Sequence, residues 1–186
     1  MTNSAFQLFH KEFPPTGERV PYNPAQHDAL AAKVPAALAA EWQNFGFGAY
    51  GAGLLWTPVP DEPFLNPDDW AALDGTGIEV LRTAFADVCL WQNEDFLWLN
   101  VHSGKSFSFS PIAEILFDSA LIEKHFRKSI LLERLFQGAC KRFGDLGSEE
   151  CFGFAPLPAL GGAIEEEYII KTQMREYVAM AAQVLG

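Results

Sequence analysis

From Ile78 to Ser110 the chain reads IEVLRTAFADVCLWQNEDFLWLNVHSGKSFSFS, and this stretch limits the possible folds more than any other. Its apolar residues recur with the period of a strand. The runs VLRTAFADVCLWQ and FLWLNVH flank the turn signal Asn93-Glu94-Asp95, and Ser103-Gly104-Lys105 leads into SFSFS, where Ser and Phe alternate strictly. Three consecutive strands joined by short turns predict an antiparallel meander with at least one face against a core. Their aromatic content predicts that helices cover that face.

Helical signals lie on both sides of the meander. Asn23-Pro24 is an N-cap followed by Pro at the first helical position, and Pro35 opens a second helix in which Leu38, Trp42 and Phe45 share one face. Gly46 suits the left-handed position after its end. After the sheet, Ser110-Pro111 predicts a helix over PIAEILFDSALIEKHF, and Ser129 one over ILLERLFQGACKRFG, ending at Gly144. A last helix from about Glu167 to Val184 is expected to bury Ile170, Met174, Tyr177, Ala181 and Val184. The expected fold is α+β: a single domain with a central antiparallel sheet packed with helices. Its N-terminal helical part runs over about 1–45, its sheet over about 46–110 and its C-terminal helical part over about 111–186.

The segment FGFGAYGAG contains Gly46-Phe47-Gly48-Ala49-Tyr50-Gly51, a literal G-x-G-x-x-G. In a dinucleotide site a strand delivers the chain to the glycines and a helix begins there, so that its amides face the pyrophosphate. Here a helix arrives and a strand leaves. These glycines therefore read as a helix cap and a reversal, and no cofactor is expected. Cys89, Cys140 and Cys151 form no C-x-x-C and read as reduced thiols. Cys151 beside Glu149 and Glu150 is the one candidate for a small cysteine-dependent hydrolase, although acidic neighbours raise a thiol pKa and blunt it as a nucleophile. The four histidines stand singly, so no metal site is expected. His102 in its turn and His125 beside basic residues are expected to be solvated.

The formal net charge is −11, from 13 basic and 24 acidic side chains. Such a field disfavours nucleic acid and anionic membranes and draws in basic partners. No apolar run approaches the roughly 20 residues that span a bilayer. The start, MTNSAFQLFHKEFPP, has neither the basic nor the apolar region of a secretory signal, so a cytoplasmic location is expected.

Three stretches together resemble the GAD-like family. EWQNFGFGAYGAGLLWTPVP is similar to its opening signature, RTAFADVCLW to its central Phe-Gly-Asp strand, and EECFGFAPLPALGG to its closing motif. Order and spacing match from about Phe9 to the C-terminus. Gly46, Gly48, Gly53, Trp56, Phe85, Asp87, Gly153, Phe154, Pro156, Gly161 and Gly162 fall on the signature. Ala86 replaces the usual Gly before Asp87, and Pro158 stands where an apolar residue is more common. The family includes the Tdi immunity proteins encoded beside Tde DNase toxins of the bacterial type VI secretion system. What the resemblance implies is a non-enzymatic protein that binds and blocks its cognate DNase toxin.

The signature positions read as architecture, glycines at reversals and aromatics in the core, so specificity is expected on surface loops. The acids Asp61, Glu62, Asp68 and Asp69, and Glu165, Glu166 and Glu167, are the candidate contacts for a basic toxin surface. Phe64 and Trp70 are the candidate anchors of a more apolar interface. The rival readings are a regulatory or defence module with another protein partner, and the cysteine hydrolase.

Overall fold

The computed structural model describes residues 4–185. Its main sheet has seven antiparallel strands that pair in chain order. They are β1 (Pro15–Val20), β2 (Phe47–Tyr50), β3 (Leu55–Thr57), β4 (Ile78–Thr83), β5 (Val88–Gln92), β6 (Asp95–Asn100) and β7 (Lys105–Ser108). A second, two-stranded antiparallel sheet pairs β8 (Glu150–Phe154) with β9 (Ile169–Gln173). The helices are α1 (Gln7–Glu12), α2 (Pro24–Ala31), α3 (Ala36–Phe45), α4 (Ala113–Ile115, continued by a wider π-type turn over Leu116–Ala120), α5 (Lys124–Ser129), α6 (Glu133–Phe143) and α7 (Met174–Leu185). The α+β expectation, a central meander packed with helices, holds.

The meander is longer than its sequence pattern predicts. The expected strand VLRTAFADVCLWQ is two strands, β4 and β5, separated by a turn that the Thr83 side chain builds. Thr83 Oγ1 accepts from the amides of Phe85 (3.2 Å) and Asp87 (3.1 Å), while the Thr83 amide donates to Asp87 O at 2.9 Å. Ala86 stands in this turn at φ 68°. The departure from the usual glycine thus falls on a left-handed residue, where a Cβ costs roughly 1–2 kcal/mol.

The N-terminal part also contributes a strand. β1 has no apolar alternation; Arg19 holds it to the sheet. The Arg19 guanidinium donates to Phe45 O (2.6 Å), Ala49 O (2.7 Å) and Gly46 O (3.1 Å), and lies 4.5 Å over the Tyr50 ring.

The last helix begins at Met174, not near Glu167. The preceding IIKTQ is β9, whose β-branched residues pair with β8, and the Met174 amide is bonded to Glu149 O at 2.8 Å. Ile170 is only half-buried because it belongs to β9 and not to the helix, and Val184, in the last turn of α7, is exposed. Glu165, Glu166 and Glu167 therefore lie before β9 and not at the start of the helix. Ser129 closes α5, while Glu123 opens it by accepting from the Phe126 amide at 2.8 Å. α6 starts four residues beyond the expected cap, after Leu132 at φ 52°.

Both faces of the sheet are buried. Cys89, Phe96 and Trp98 point into a core shared with α1, α3, the α4 turn and α6. The alternate residues Val88, Leu90, Leu99 and Val101 point into a second core closed by Met174, Tyr177, Val178 and Ala181 of α7. β7 is an edge strand with all four residues exposed, yet Phe107 stacks on the Trp98 ring at 6.3 Å and Phe109 just beyond meets it at 6.1 Å, so the Ser/Phe alternation marks the side turned to the first core.

Glycine matters most where the small sheet meets α7. A Cβ on Gly153 would lie 2.3 Å from the Tyr177 ring, whereas one on Gly147 would meet only the carboxylate end of Glu150, at 3.3 Å. Gly153→Ala is expected to lower stability in urea unfolding by at least about 2 kcal/mol, and Gly147→Ala to change it by less than about 0.5 kcal/mol. Equal effects would show that the Gly153–Tyr177 contact does not limit packing.

Candidate functional site

The G-x-G-x-x-G segment is engaged in architecture. Gly46 ends α3 with its amide on Trp42 O (2.8 Å), at φ 65°, and a Cβ there would lie 2.3 Å from Val20 O. Phe47 to Tyr50 pair with β1 on one side and β3 on the other. The amides that a phosphate needs therefore serve the sheet.

The other signature residues meet around one buried polar cluster. His102, expected to be solvated, is buried between the main sheet and α7. Its Nε2 donates to Phe85 O at 2.9 Å, which leaves Nδ1 as an acceptor for the Tyr177 hydroxyl at 3.2 Å. That hydroxyl in turn accepts from the Phe154 amide at 3.0 Å. A proton on Nδ1 would face the hydroxyl donor, and burial pulls His102 down to about 4. Next to this cluster the carboxylate of Asp87 accepts from Val101 N (3.0 Å), Asn100 Nδ2 (3.0 Å) and Trp98 Nε1 (3.3 Å). Burial pushes Asp87 up to about 7 against the pull of these hydrogen bonds. His102, Tyr177 and Asp87 are buried with hydrogen bonds inside the protein, so the cluster acts as a joint between the main sheet, the small sheet and α7.

Cys151 is poorly placed to act as a nucleophile. It is wholly buried, and burial pushes its thiol up to about 12 despite the opposing charge of Arg82. Among the described residues no group of three His, Cys, Asp or Glu side chains is placed to hold a metal ion, and no helix is long and apolar enough to cross a membrane.

The candidate contact residues divide into two places. Asp61, Glu62, Asp68 and Asp69 are exposed on the connection between β3 and β4. Arg175 of α7 pins that connection through Nη2 to Glu62 O (3.1 Å) and Nη1 to Pro63 O, with its guanidinium 4.8 Å over the Phe64 ring. Asp61 also lies 3.8 Å from His27 Nε2. Phe64 and Trp70, expected to be exposed anchors, are instead buried in the second core; the charged connection folds them inward as its own packing. Glu165, Glu166 and Glu167 are exposed on the connection between β8 and β9. There Glu165 and Glu166 line a groove with Arg134, Lys141 and Arg142 of α6. Arg142 Nη1 donates to Glu166 O at 3.4 Å, so part of this acidic run faces a basic helix. Leu160 and Ile164 on the same connection are exposed apolar residues that the sequence reading passed over.

Sequence reasoning also missed a cavity of about 440 Å³ between β1–β4, the β3–β4 connection and the loop before β8. Arg82 of β4 lies at its base, almost wholly buried. A lone arginine inside an apolar strand run carries no signal of such a cavity.

Comparison with known proteins adds a family. Residues 114–184 match the family model described as T6SS immunity protein Tdi1, C-terminal. Over that C-terminal segment the chain is similar to that family. The matched segment carries α5, α6, both strands of the small sheet and α7, and with them the closing motif from Gly153 to Gly162. The crystal structure of Atu4351 from Agrobacterium tumefaciens has the same fold, with a TM-score of 0.69 at 16% sequence identity over 96% of this chain and 88% of that one. No curated protein matches the chain.

The buried cluster generates opposed pH dependences. Asp87 keeps its proton in the folded state up to about 7, against an ordinary value of 3.8, so its contribution to stability falls as pH rises through that window. His102 stays neutral in the folded state down to about 4, against 6.5, so its contribution is lost as pH falls through that window. Relative to wild type, Asp87→Asn is expected to make stability rise more steeply with pH between these values, and His102→Gln to make it fall. Each change in slope is bounded by about 1.4 kcal/mol per pH unit. Denaturant unfolding at a series of pH values reads both, and unchanged slopes would mean that neither group titrates in this way.

Proposed function

We propose that the chain is an immunity protein that binds a cognate type VI secretion DNase toxin and neutralises it by covering its DNA-binding or active-site surface. The observation that carries this reading is the match of residues 114–184 to the Tdi1 immunity family. The net charge of −11 supports the mode of action. A nuclease presents Lys and Arg to phosphate, and an acidic inhibitor competes for those same groups and speeds its own encounter with them. On this reading the whole chain acts as one immunity domain, works stoichiometrically rather than as an enzyme, binds no nucleic acid itself, and acts in the cytoplasm.

Asp61, Glu62, Asp68 and Asp69 are the acidic contacts we favour, because they stand exposed on a connection that Arg175 holds in place. Glu165, Glu166 and Glu167 form a second contact together with the exposed Leu160 and Ile164, which replace Phe64 and Trp70 as apolar anchors.

The test is co-expression with the product of the adjacent gene, co-purification, and a DNA-cleavage assay at low and moderate salt. A stable complex with suppressed cleavage is expected. Reversing the charge of Asp61, Glu62, Asp68 and Asp69 together should weaken the complex by at least about tenfold and flatten its salt dependence. Replacing Leu160 and Ile164 with Asp should raise the dissociation rate without changing that dependence. A charge-reversed variant of unchanged affinity would remove the first surface from the interface. Unimpeded cleavage with no complex would overturn the reading.

A further inference from the structure

The cavity beneath the β3–β4 connection has the features of a binding site, independently of any protein partner. Its volume, about 440 Å³, lies in the range of small-molecule sites. At its base the Arg82 guanidinium is held between two rings, 4.6 Å over Trp56 and 5.3 Å over Phe64, and its Nη2 donates to Ser148 O at 2.6 Å. Its Nη1, also buried, has no hydrogen-bond partner. Among the described residues Arg82 makes no ion pair. The nearby Glu79 carboxylate, whose Oε2 is likewise buried and unpartnered, acts on Arg82 at a distance without forming an ion pair with it, so Nη1 remains a rigid, charged donor without a partner of the kind that matches a carboxylate.

The mouth has the opposite sign. Glu18 and Glu62 are exposed on the lining and make no ion pair among the described residues; Glu149, also on the lining, faces Arg175 at 3.4 Å. Arg19 does not offset them, since its guanidinium is bonded to three backbone carbonyls. A positive base under a negative rim disfavours a phosphate or a dianion, whose whole charge would have to pass the acids. It favours a molecule with one charge of each sign. Val20, Phe47 and Val59 supply an apolar wall between the two.

We propose that this cavity binds a free α-amino acid with an apolar side chain. Its carboxylate meets Arg82, its ammonium turns to Glu18 and Glu62, and its side chain packs on the Val20–Phe47–Val59 wall. Trp56, which lies against the guanidinium, reports occupancy directly.

The experiment titrates the purified full chain with the standard L-amino acids, following Trp56 by its indole N–H resonance and binding by calorimetry. L-phenylalanine is then compared with phenethylamine and 3-phenylpropionate, which keep only the ammonium or only the carboxylate, and with inorganic phosphate. At least one apolar amino acid should bind and shift the Trp56 resonance, with each single-charge analogue weaker by about tenfold or more. Arg82→Met should abolish binding. Glu18→Gln with Glu62→Gln, two exposed positions that leave the core intact, should weaken the amino acid by about threefold or more while leaving 3-phenylpropionate unchanged or tighter. That second variant decides the matter if Arg82→Met fails to fold. The proposal is overturned if no amino acid binds at about 10 mM, if 3-phenylpropionate or phosphate binds as tightly as phenylalanine, or if binding survives both sets of substitutions.

Discussion

The structure depends on a single histidine being neutral. His102 bonds the carbonyl of Phe85, in the β4–β5 turn, and the hydroxyl of Tyr177, on α7. Through that hydroxyl it reaches the amide of Phe154, in the small sheet. Three units far apart in sequence are joined by three hydrogen bonds, each of which fixes the direction of the next. The rings add to this: Phe154 stacks on Phe85 at 5.4 Å and meets His102 edge-on at 5.2 Å. Gly153 follows from the same joint, since only a residue without a side chain lets the Tyr177 ring approach β8. The closing motif of the sequence is therefore the seat for α7.

Arginine does elsewhere what histidine does at the joint. Irregular backbone leaves carbonyls without ladder partners, and a guanidinium with its fork of donors satisfies several at once. Arg19 gathers three of them where α3 turns into β2, Arg175 takes two from the β3–β4 connection, and Arg82 takes Ser148 O before β8. Each also lies over an aromatic ring. In an acidic chain these cations serve the fold first, and of the three Arg82 is the one with a buried donor left over.

How far the sequence was legible follows from the range of the forces involved. The antiparallel meander as such, the starts of α2 and α3 and the turn at Gly46 rest on local rules of period, capping and left-handed glycine, and they read correctly; the β4–β5 turn inside the meander does not, because the Thr83 side chain builds it without a Gly or Pro signal. β1 did not, because side-chain bonds to distant carbonyls hold it and its pattern carries no apolar alternation. β9 reads as part of the last helix because Ile170, Met174 and Tyr177 fall at helical spacing across a strand–helix junction. Phe64 and Trp70 looked exposed because they sit among acids and prolines, and only the tertiary pairing with α7 shows that they face inward. The cavity was invisible for the same reason: its walls come from β1, β2, β3, β4 and two loops.

Charge is also distributed in a way that the net value hides. Six of the 13 Lys and Arg fall between Lys124 and Arg142, where Glu133 is the single acid and Glu165 and Glu166 stand opposite α6. Arg19 and Arg82 are turned to backbone carbonyls and contribute little to the outer field. The β3–β4 connection, residues 58–77, itself carries acids and no Lys or Arg, with Arg175 of α7 the cation placed against it. Within a Debye length of about 8 Å in physiological salt, it is this local excess that an approaching basic protein meets. Binding there orders little, because Arg175 has already fixed the connection and its aromatics are already buried. On the proposed reading, an acidic face held rigid by its own core suits a competitor of DNA, since affinity then comes from charge that needs no rearrangement to be presented.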